Sequence, residues 1–174
     1  MDHRINPPNG WERLDASELS WLVIEKIWDW MDFYGEYEPF RLQMSELTPG
    51  QRAVYSTQWL SSEVSNGGFH QFFFNSTGML GPEAVDGFRL LGLPELAARV
   101  LDAFRFAGLE PYVRAREERC ELLPDYDDRS SEWYALNEKF YEASYDSTSD
   151  VAYDRVIPKR QAAYVRAHPH EFFR

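Results

Sequence analysis

An aromatic stretch that opens with two adjacent glycines constrains this chain more than any other feature. It has the sequence Asn66-Gly67-Gly68-Phe69-His70-Gln71-Phe72-Phe73-Phe74-Asn75. Residues 51–64 have the pattern of a helix, and the glycine pair is predicted to end that helix with a positive φ at one of its two members. The spacing then places Phe69, Phe72 and Phe73 on one face of the turns that follow. Because a buried aromatic side chain removes about 150–250 Å² from water, we expect these three side chains to lie in the core.

Glycine and proline positions divide the rest of the chain into about seven predicted helices, so the predicted fold class is all-α. Asp15 and Glu18 form a capping-box pair at the first helix, and Thr48 caps the second with Pro49 and Gln51 in its first turn. The predicted helices span residues 15–34, 49–64, 81–91, 94–107, 111–122, 131–143 and 150–167, the last interrupted near Pro158. No segment shows the alternation typical of a strand. We expect one compact helical domain, residues 15–174, after an N-terminal lead-in, residues 1–14.

The charge balance of the chain is strongly acidic. There are 29 acidic and 18 basic residues among 174, a net charge of −11. This balance argues against binding nucleic acid through its phosphates, which requires clustered Lys and Arg, and favours cationic partners or simple solubility. The one cysteine, Cys120, excludes an intramolecular disulfide and a Cys-based zinc site. No apolar run has the length of a signal peptide or a membrane span, so we expect a cytoplasmic protein without membrane contact.

The predicted first helix carries an acidic line opposite its apolar face. The members of this line are Glu18, Glu25, Asp29, Asp32 and Glu36, with Trp21 and Trp28 beside them. Lys26 is the only base from residue 15 to residue 38, against seven acids. Helix carboxylates roughly 6 Å apart along an axis would present a row of charges comparable to the phosphates of duplex DNA, which recur about every 3.4 Å per strand. The line is a candidate surface for a basic partner.

A second acidic block spans residues 110–154, with 13 acids and five bases. Its candidate partner-binding residues are Asp125, Asp127, Asp128 and Glu132. Both acidic regions have an alternative interpretation as solvated surface that only keeps the protein soluble.

Residues 44–106 resemble the bacterial DNA-mimic protein domain family, whose members are mostly catalogued as a domain of unknown function. The most specific part of the resemblance is Asn66-Gly67-Gly68-Phe69, Gln71-Phe72 and Asn75, which together with Phe73 we interpret as a structural motif of the fold. The resemblance implies an acidic, largely helical protein that forms a homodimer. It also implies a basic DNA-binding partner, either a helix-turn-helix repressor or a histone-like protein, whose DNA-binding surface the protein occupies without itself binding nucleic acid.

Two further hypotheses stay open at this point. An acidic inhibitor or immunity-type protein that plugs a cationic enzyme, such as a nuclease toxin, would need the same carboxylates. An enzyme could instead use His70 as a general base beside Gln71 and Asn75, although no nucleophile or carboxylate accompanies His70 in sequence.

Known sequence motifs for cofactors and metals are missing from the chain. There is no P-loop, no GxGxxG and no GxSxG. The tract His168-Pro169-His170-Glu171 contains metal-binding residue types, but Pro169 prevents the helical spacing that such sites use, and we interpret the tract as a solvated, frayed tail. We therefore predict no enzyme activity, no cofactor and no metal site.

Overall fold

The computed structural model describes residues 2–126, 131–149 and 154–174. Within these residues the chain forms nine α-helices and no strand, with only two isolated β-bridges, so the all-α prediction is confirmed. The helices are α1 (Ala16–Leu22), α2 (Glu25–Trp28), α3 (Tyr37–Glu46), α4 (Pro49–Phe74), α5 (Gly81–Leu90), α6 (Pro94–Phe106), α7 (Arg116–Leu122), α8 (Ser131–Ser144) and α9 (Val156–Ala167). Short 3₁₀ turns cover Trp11–Arg13, Ser76–Leu80 and Pro169–Glu171.

Helix α4 is the central element, and α5, α7, α8 and α9 all pack against it. Its N-terminus carries the predicted capping box between Thr48 and Gln51. Near its other end, Phe69, Phe72 and Phe73 are fully buried, which confirms the core predicted from their spacing. Phe69 contacts Phe140 of α8, and Phe73 contacts Phe104 of α6 and Trp133 of α8, so the buried phenylalanines join α4 to two further helices.

The single first helix predicted over residues 15–34 is wrong. The capping box at Asp15 is present, but α1 ends at Leu22, α2 occupies Glu25–Trp28, and turns follow as far as Gly35. The side chain of Gln43 replaces the helical hydrogen bonds: its amide nitrogen donates to the Trp30 carbonyl and its oxygen accepts from the Asp32 N–H, each at 2.9 Å. Bonds from another helix therefore override the local helical pattern.

Two other boundaries differ from the prediction. Helix α3 lies outside the predicted helices, because a proline usually interrupts a helix. Pro39, however, lies in the first turn of α3, where the missing N–H costs nothing. The helix predicted from Pro111 begins only at Arg116. Residues before it are held in a non-helical path over α5, because the Tyr112 hydroxyl donates to the Gly78 carbonyl and Arg114 pairs with Glu83.

The two ends of the chain pack together. Ile5 pairs with the C-terminal segment, donating its N–H to the Phe172 carbonyl at 2.9 Å and accepting from the Arg174 N–H at 3.1 Å. Phe172 and Phe173 are buried. Glu171 accepts from the Gly50 N–H at 2.5 Å, at the start of α4. The prediction of a frayed, solvated tail at His168–Glu171 is therefore wrong.

Helix lengths and hydropathies over the described residues leave no candidate for a membrane-spanning helix.

Candidate partner-binding surface

The glycine pair interrupts α4 and docks α8 onto it. Gly68 has φ 78° and ψ −178°, the positive φ expected at one of the two glycines. This turn presents the Phe69 N–H to the Asn137 side-chain oxygen at 2.9 Å. A Cβ on Gly68 would lie 2.3 Å from the Asn137 amide nitrogen. A side chain is therefore disfavoured at this position both by the positive φ and by this close contact. Helix α4 then resumes and carries the phenylalanines into the core.

The polar residues of the motif converge on Glu63, which sequence reasoning missed. The Gln71 and Asn75 side-chain amides donate to one carboxylate oxygen at 2.8 and 2.9 Å, and the Thr77 hydroxyl donates to the other at 2.6 Å. Glu63 is half-buried, and these three neutral donors satisfy its charge. The spacing of Gln71 and Asn75, four residues apart, was the available sequence signal. Their role is to hold the break in α4, as interpreted for the motif.

Helix α7 closes the C-terminal end of α4 with arginines. Arg119 is fully buried and donates to the Phe73, Asn75 and Arg114 carbonyls at 2.7, 2.8 and 2.7 Å. Arg116 donates to the Phe74 carbonyl at 2.9 Å and lies over the Phe74 ring. Burial lowers the pKa of Arg119 from its ordinary value, but a guanidinium stays charged in proteins. The carbonyls at a helix C-terminus carry partial negative charge, which compensates a buried cation.

His70 lies among aromatic rings. Its ring centroid is 4.9 Å from that of Tyr126, 5.4 Å from that of Trp133 and 6.2 Å from that of Phe74. Burial lowers its pKa from the ordinary value. In the described part of the chain the His70 ring makes no hydrogen bond or ion pair. The neighbouring hollow, about 310 Å³, is bordered mainly by Phe74, Tyr126 and Gln71. Among the described residues that border this hollow there is no carboxylate, serine or cysteine beside His70.

The first acidic region is exposed but not straight. Glu18, Glu25, Asp29, Asp32 and Glu36 are all exposed to solvent. Because the predicted helix is divided, they lie on α1, α2 and the turns before α3. Glu18 accepts from the Asp15 N–H in the capping box, and Asp32 accepts from the N–H groups of Tyr34 and Gly35. Glu25, Asp29 and Glu36 form no ion pair with any described residue.

The second acidic region is exposed where the structure describes it. Asp125 and Glu132 are exposed, whereas Asp127 and Asp128 lie outside the described residues. Helix α7 adds three exposed carboxylates that the sequence did not single out: Glu117, Glu118 and Glu121. Like Asp125 and Glu132, these three form no ion pair with described residues. Helix α7 therefore presents its three acids and Arg116 to solvent and buries Arg119.

Arginines outside α7 also donate to backbone carbonyls. In the described part of the chain, six arginines donate a guanidinium N–H to a backbone carbonyl: Arg4, Arg52, Arg114, Arg116, Arg119 and Arg166. Of these, Arg119 is buried, Arg4, Arg52 and Arg114 are half-buried, and Arg116 and Arg166 are exposed. Exposed carboxylates without a basic partner thus face solvent while several bases are held against the protein.

A groove of about 730 Å³ brings the two acidic regions together. One side is formed by the turns at residues 33–37, and the other by the start of α7. Glu36 and Glu117 both border it, although 80 residues separate them in sequence. Of the two tryptophans beside the acidic line, Trp21 is 42% exposed, whereas Trp28 stacks on Trp59 with centroids 4.1 Å apart.

Metal-binding side chains are not gathered into a group of three or more anywhere in the described residues. Comparison with known proteins gives one result. A family model with the description DMP19-like protein matches residues 45–168. No curated protein and no solved structure matches the chain.

Proposed function

The chain belongs to the DMP19-like protein family, and on that premise we propose that it is a DNA mimic. In this proposal it binds the DNA-binding surface of a basic protein and blocks that protein's access to DNA. It acts as a binding protein without enzymatic activity of its own. The partner is a transcriptional repressor or a histone-like nucleoid protein, because these classes present rows of Lys and Arg built for phosphates.

The observation that carries the proposal is the division of charge on α2, the following turns and α7. Glu25, Asp29 and Glu36 are exposed and unpaired among the described residues, and so are Glu117, Glu118 and Glu121. A folded protein that only needs solubility gains from mixed charges, since neighbouring like charges cost a few tenths of a kcal/mol each. Carboxylates left without bases are instead suited to pairing with a partner's Arg and Lys.

The arrangement of these carboxylates differs from a single straight row. They lie on two short helices, a turn and α7, so a duplex-like line along one helix axis is not part of the proposal. Instead, the acids form two separate regions that meet at the groove between residues 33–37 and α7, which Glu36 and Glu117 border. A partner groove for DNA accepts such a surface if its own bases are spaced for two phosphate strands.

The proposal is tested by charge reversal at two exposed, unpaired acids. The variant Glu25→Lys/Asp29→Lys should weaken binding to a purified histone-like nucleoid protein, mainly by slowing association, and the loss should shrink as salt rises. The matched control is Asp86→Lys/Glu95→Lys, which changes net charge equally at exposed acids that already pair with Arg89 and Arg99.

Equal weakening by both variants would reduce the effect to net charge and contradict a specific surface. Lysozyme, a cationic enzyme without a dedicated groove for duplex DNA, serves as the second ligand. Tighter binding to lysozyme than to the nucleoid protein would favour an inhibitor of a cationic enzyme over a DNA mimic.

A further inference from the structure

The groove between residues 33–37 and α7 has an aromatic floor and an exposed aromatic rim. Phe33 and Met79 form part of the floor and are 7% and 4% exposed. Tyr34 stands on the rim and is 92% exposed, more than any other large hydrophobic side chain in the described residues. A tyrosine with so little packing contributes almost nothing to the fold. Exposed aromatic side chains beside a hollow are typical anchors for a partner.

Both walls of the groove are fixed by contacts to the body of the protein. The 33–37 wall is held by the Asp32 carboxylate, which accepts from the Tyr34 N–H at 2.8 Å, and by Gln43, which accepts from the Asp32 N–H. The floor is held because Phe33 stacks on Tyr55 with centroids 6.2 Å apart. The α7 wall is held by Arg119. A groove that needs no reordering loses less free energy when a ligand binds.

The charges that face this groove favour a cation. Glu36 and Glu117 lie on opposite walls, both exposed and unpaired among the described residues. Arg116 also borders the groove, but it donates to the Phe74 carbonyl and its guanidinium lies 4.8 Å from the centroid of the Phe74 ring. Arg114 lies 5.0 Å from the centroid of the Tyr37 ring and pairs with Glu83. Arg114 is therefore neutralised by Glu83, and the charged side chains that line the groove are two carboxylates without an ion-pair partner among the described residues and the one guanidinium of Arg116.

We propose that this groove is the anchor site for an arginine side chain of the basic partner. The guanidinium stacks on Tyr34 and pairs with Glu36 or Glu117, while its aliphatic stem covers Phe33 and Met79. Arginine fits better than lysine because its planar group stacks on an aromatic face and pairs with a carboxylate at the same time. The identity of the partner in this inference rests on the proposed function, whereas the chemistry of the site does not.

The experiment compares Tyr34→Ala with Tyr134→Ala, since Tyr134 on α8 is also exposed, at 62%, and does not border the groove. Two probes are titrated by calorimetry: a hexa-arginine peptide and a hexalysine peptide of the same charge. Wild type should bind the arginine peptide more tightly. Tyr34→Ala should raise its Kd about threefold to tenfold and reduce the preference over lysine, with an unchanged melting temperature. Tyr134→Ala should leave both affinities unchanged.

The same variants are then measured with the histone-like nucleoid protein. Slower association of Glu36→Lys/Glu117→Lys, together with faster dissociation of Tyr34→Ala, would support the site. Equal affinities of Tyr34→Ala and wild type for the arginine peptide would overturn it. If wild type binds the arginine peptide through Tyr34 but not the nucleoid protein, the groove stands and the proposed DNA mimicry fails. If wild type binds the nucleoid protein and neither groove variant changes that binding, the function stands and the groove fails.

Discussion

Single residues decide the shape of α4, and Gly68 is the strictest of them. Its positive φ and the closeness of Asn137 both exclude a side chain, while its turn releases the Phe69 N–H to the Asn137 side chain. The sequence predicted a positive φ at one of the two glycines because a helix must end before an aromatic cluster can turn inward. It could not predict Asn137, which lies 68 residues away in the chain. The backbone conformation at the glycine pair could be predicted from the sequence, whereas the hydrogen bond to Asn137 that depends on this conformation could not.

Gly68→Ala should therefore destabilise the protein more than Gly10→Ala. Both glycines have nearly the same φ, 78° and 79°, but an added Cβ at Gly10 meets no atom within 4 Å. Gly10→Ala carries only the backbone strain, about 1 kcal/mol, whereas Gly68→Ala adds a clash and the loss of a hydrogen bond, about 2–4 kcal/mol in total. Urea unfolding of both variants measures the difference. Equal losses would show that the Asn137 contact contributes nothing.

His70 gives the stability a pH dependence of known sign. Burial lowers its pKa below the ordinary value of 6.5, so the folded protein binds this proton more weakly than the unfolded chain. Above the ordinary pKa the residue is neutral in both states and contributes nothing. As the pH falls below that value, the unfolded chain takes up the proton first and stability is lost.

The variant His70→Phe tests this pH dependence, because it removes the titrating group and keeps an aromatic ring among Tyr126, Trp133 and Phe74. Wild type should lose more stability than His70→Phe between about pH 7 and about pH 5. Urea unfolding at several pH values measures both proteins. Parallel pH profiles for the two proteins would contradict the assigned pKa direction.

At the scale of elements, helix starts were predictable where a capping residue lies beside them, whereas breaks without a glycine or proline signal were not. Both capping boxes, at Asp15 and at Thr48, are present in the structure. The path after α2 is different, because the Trp30 carbonyl and the Asp32 N–H are held by Gln43, which lies more than ten residues away and on another helix. The prediction of a straight line of carboxylates is wrong because the helix that would carry them is divided. A tertiary hydrogen bond, which has no local sequence signal, decided the path.

Helix α7 acts as a lid on the end of α4, and Arg119 is the residue that fastens it. Arg119→Met keeps the volume but leaves several buried carbonyls of residues 73, 75 and 114 without a donor. We expect a loss of roughly 3 kcal/mol or more. Arg116→Met on the same helix removes one bond at an exposed position and should cost less than about 1 kcal/mol. Thermal melts compare the two, and similar losses would contradict the lid role of Arg119.

At the scale of the whole molecule, the sequence predicted the amount of negative charge and the structure places it. A net charge of −11 was readable at once. The hydrogen bonds of Arg114, Arg116 and Arg119 to backbone carbonyls could not be read from the sequence, because their acceptors lie on distant elements. Nor could the meeting of Glu36 with Glu117 at one groove. The charge of the surface depends on which charged side chains are buried or bonded to the backbone, and this is known only from the fold.

The most direct test of DNA mimicry is competition between this protein and duplex DNA for one partner. Fluorescently labelled duplex is bound to the histone-like nucleoid protein, and the chain is titrated in while anisotropy and native gel mobility are followed. We expect complete displacement of the duplex with no ternary complex, and the Glu25→Lys/Asp29→Lys variant should need a higher concentration than Asp86→Lys/Glu95→Lys for the same displacement. A stable ternary complex, or labelled duplex that stays bound while the chain also binds the partner, would contradict it.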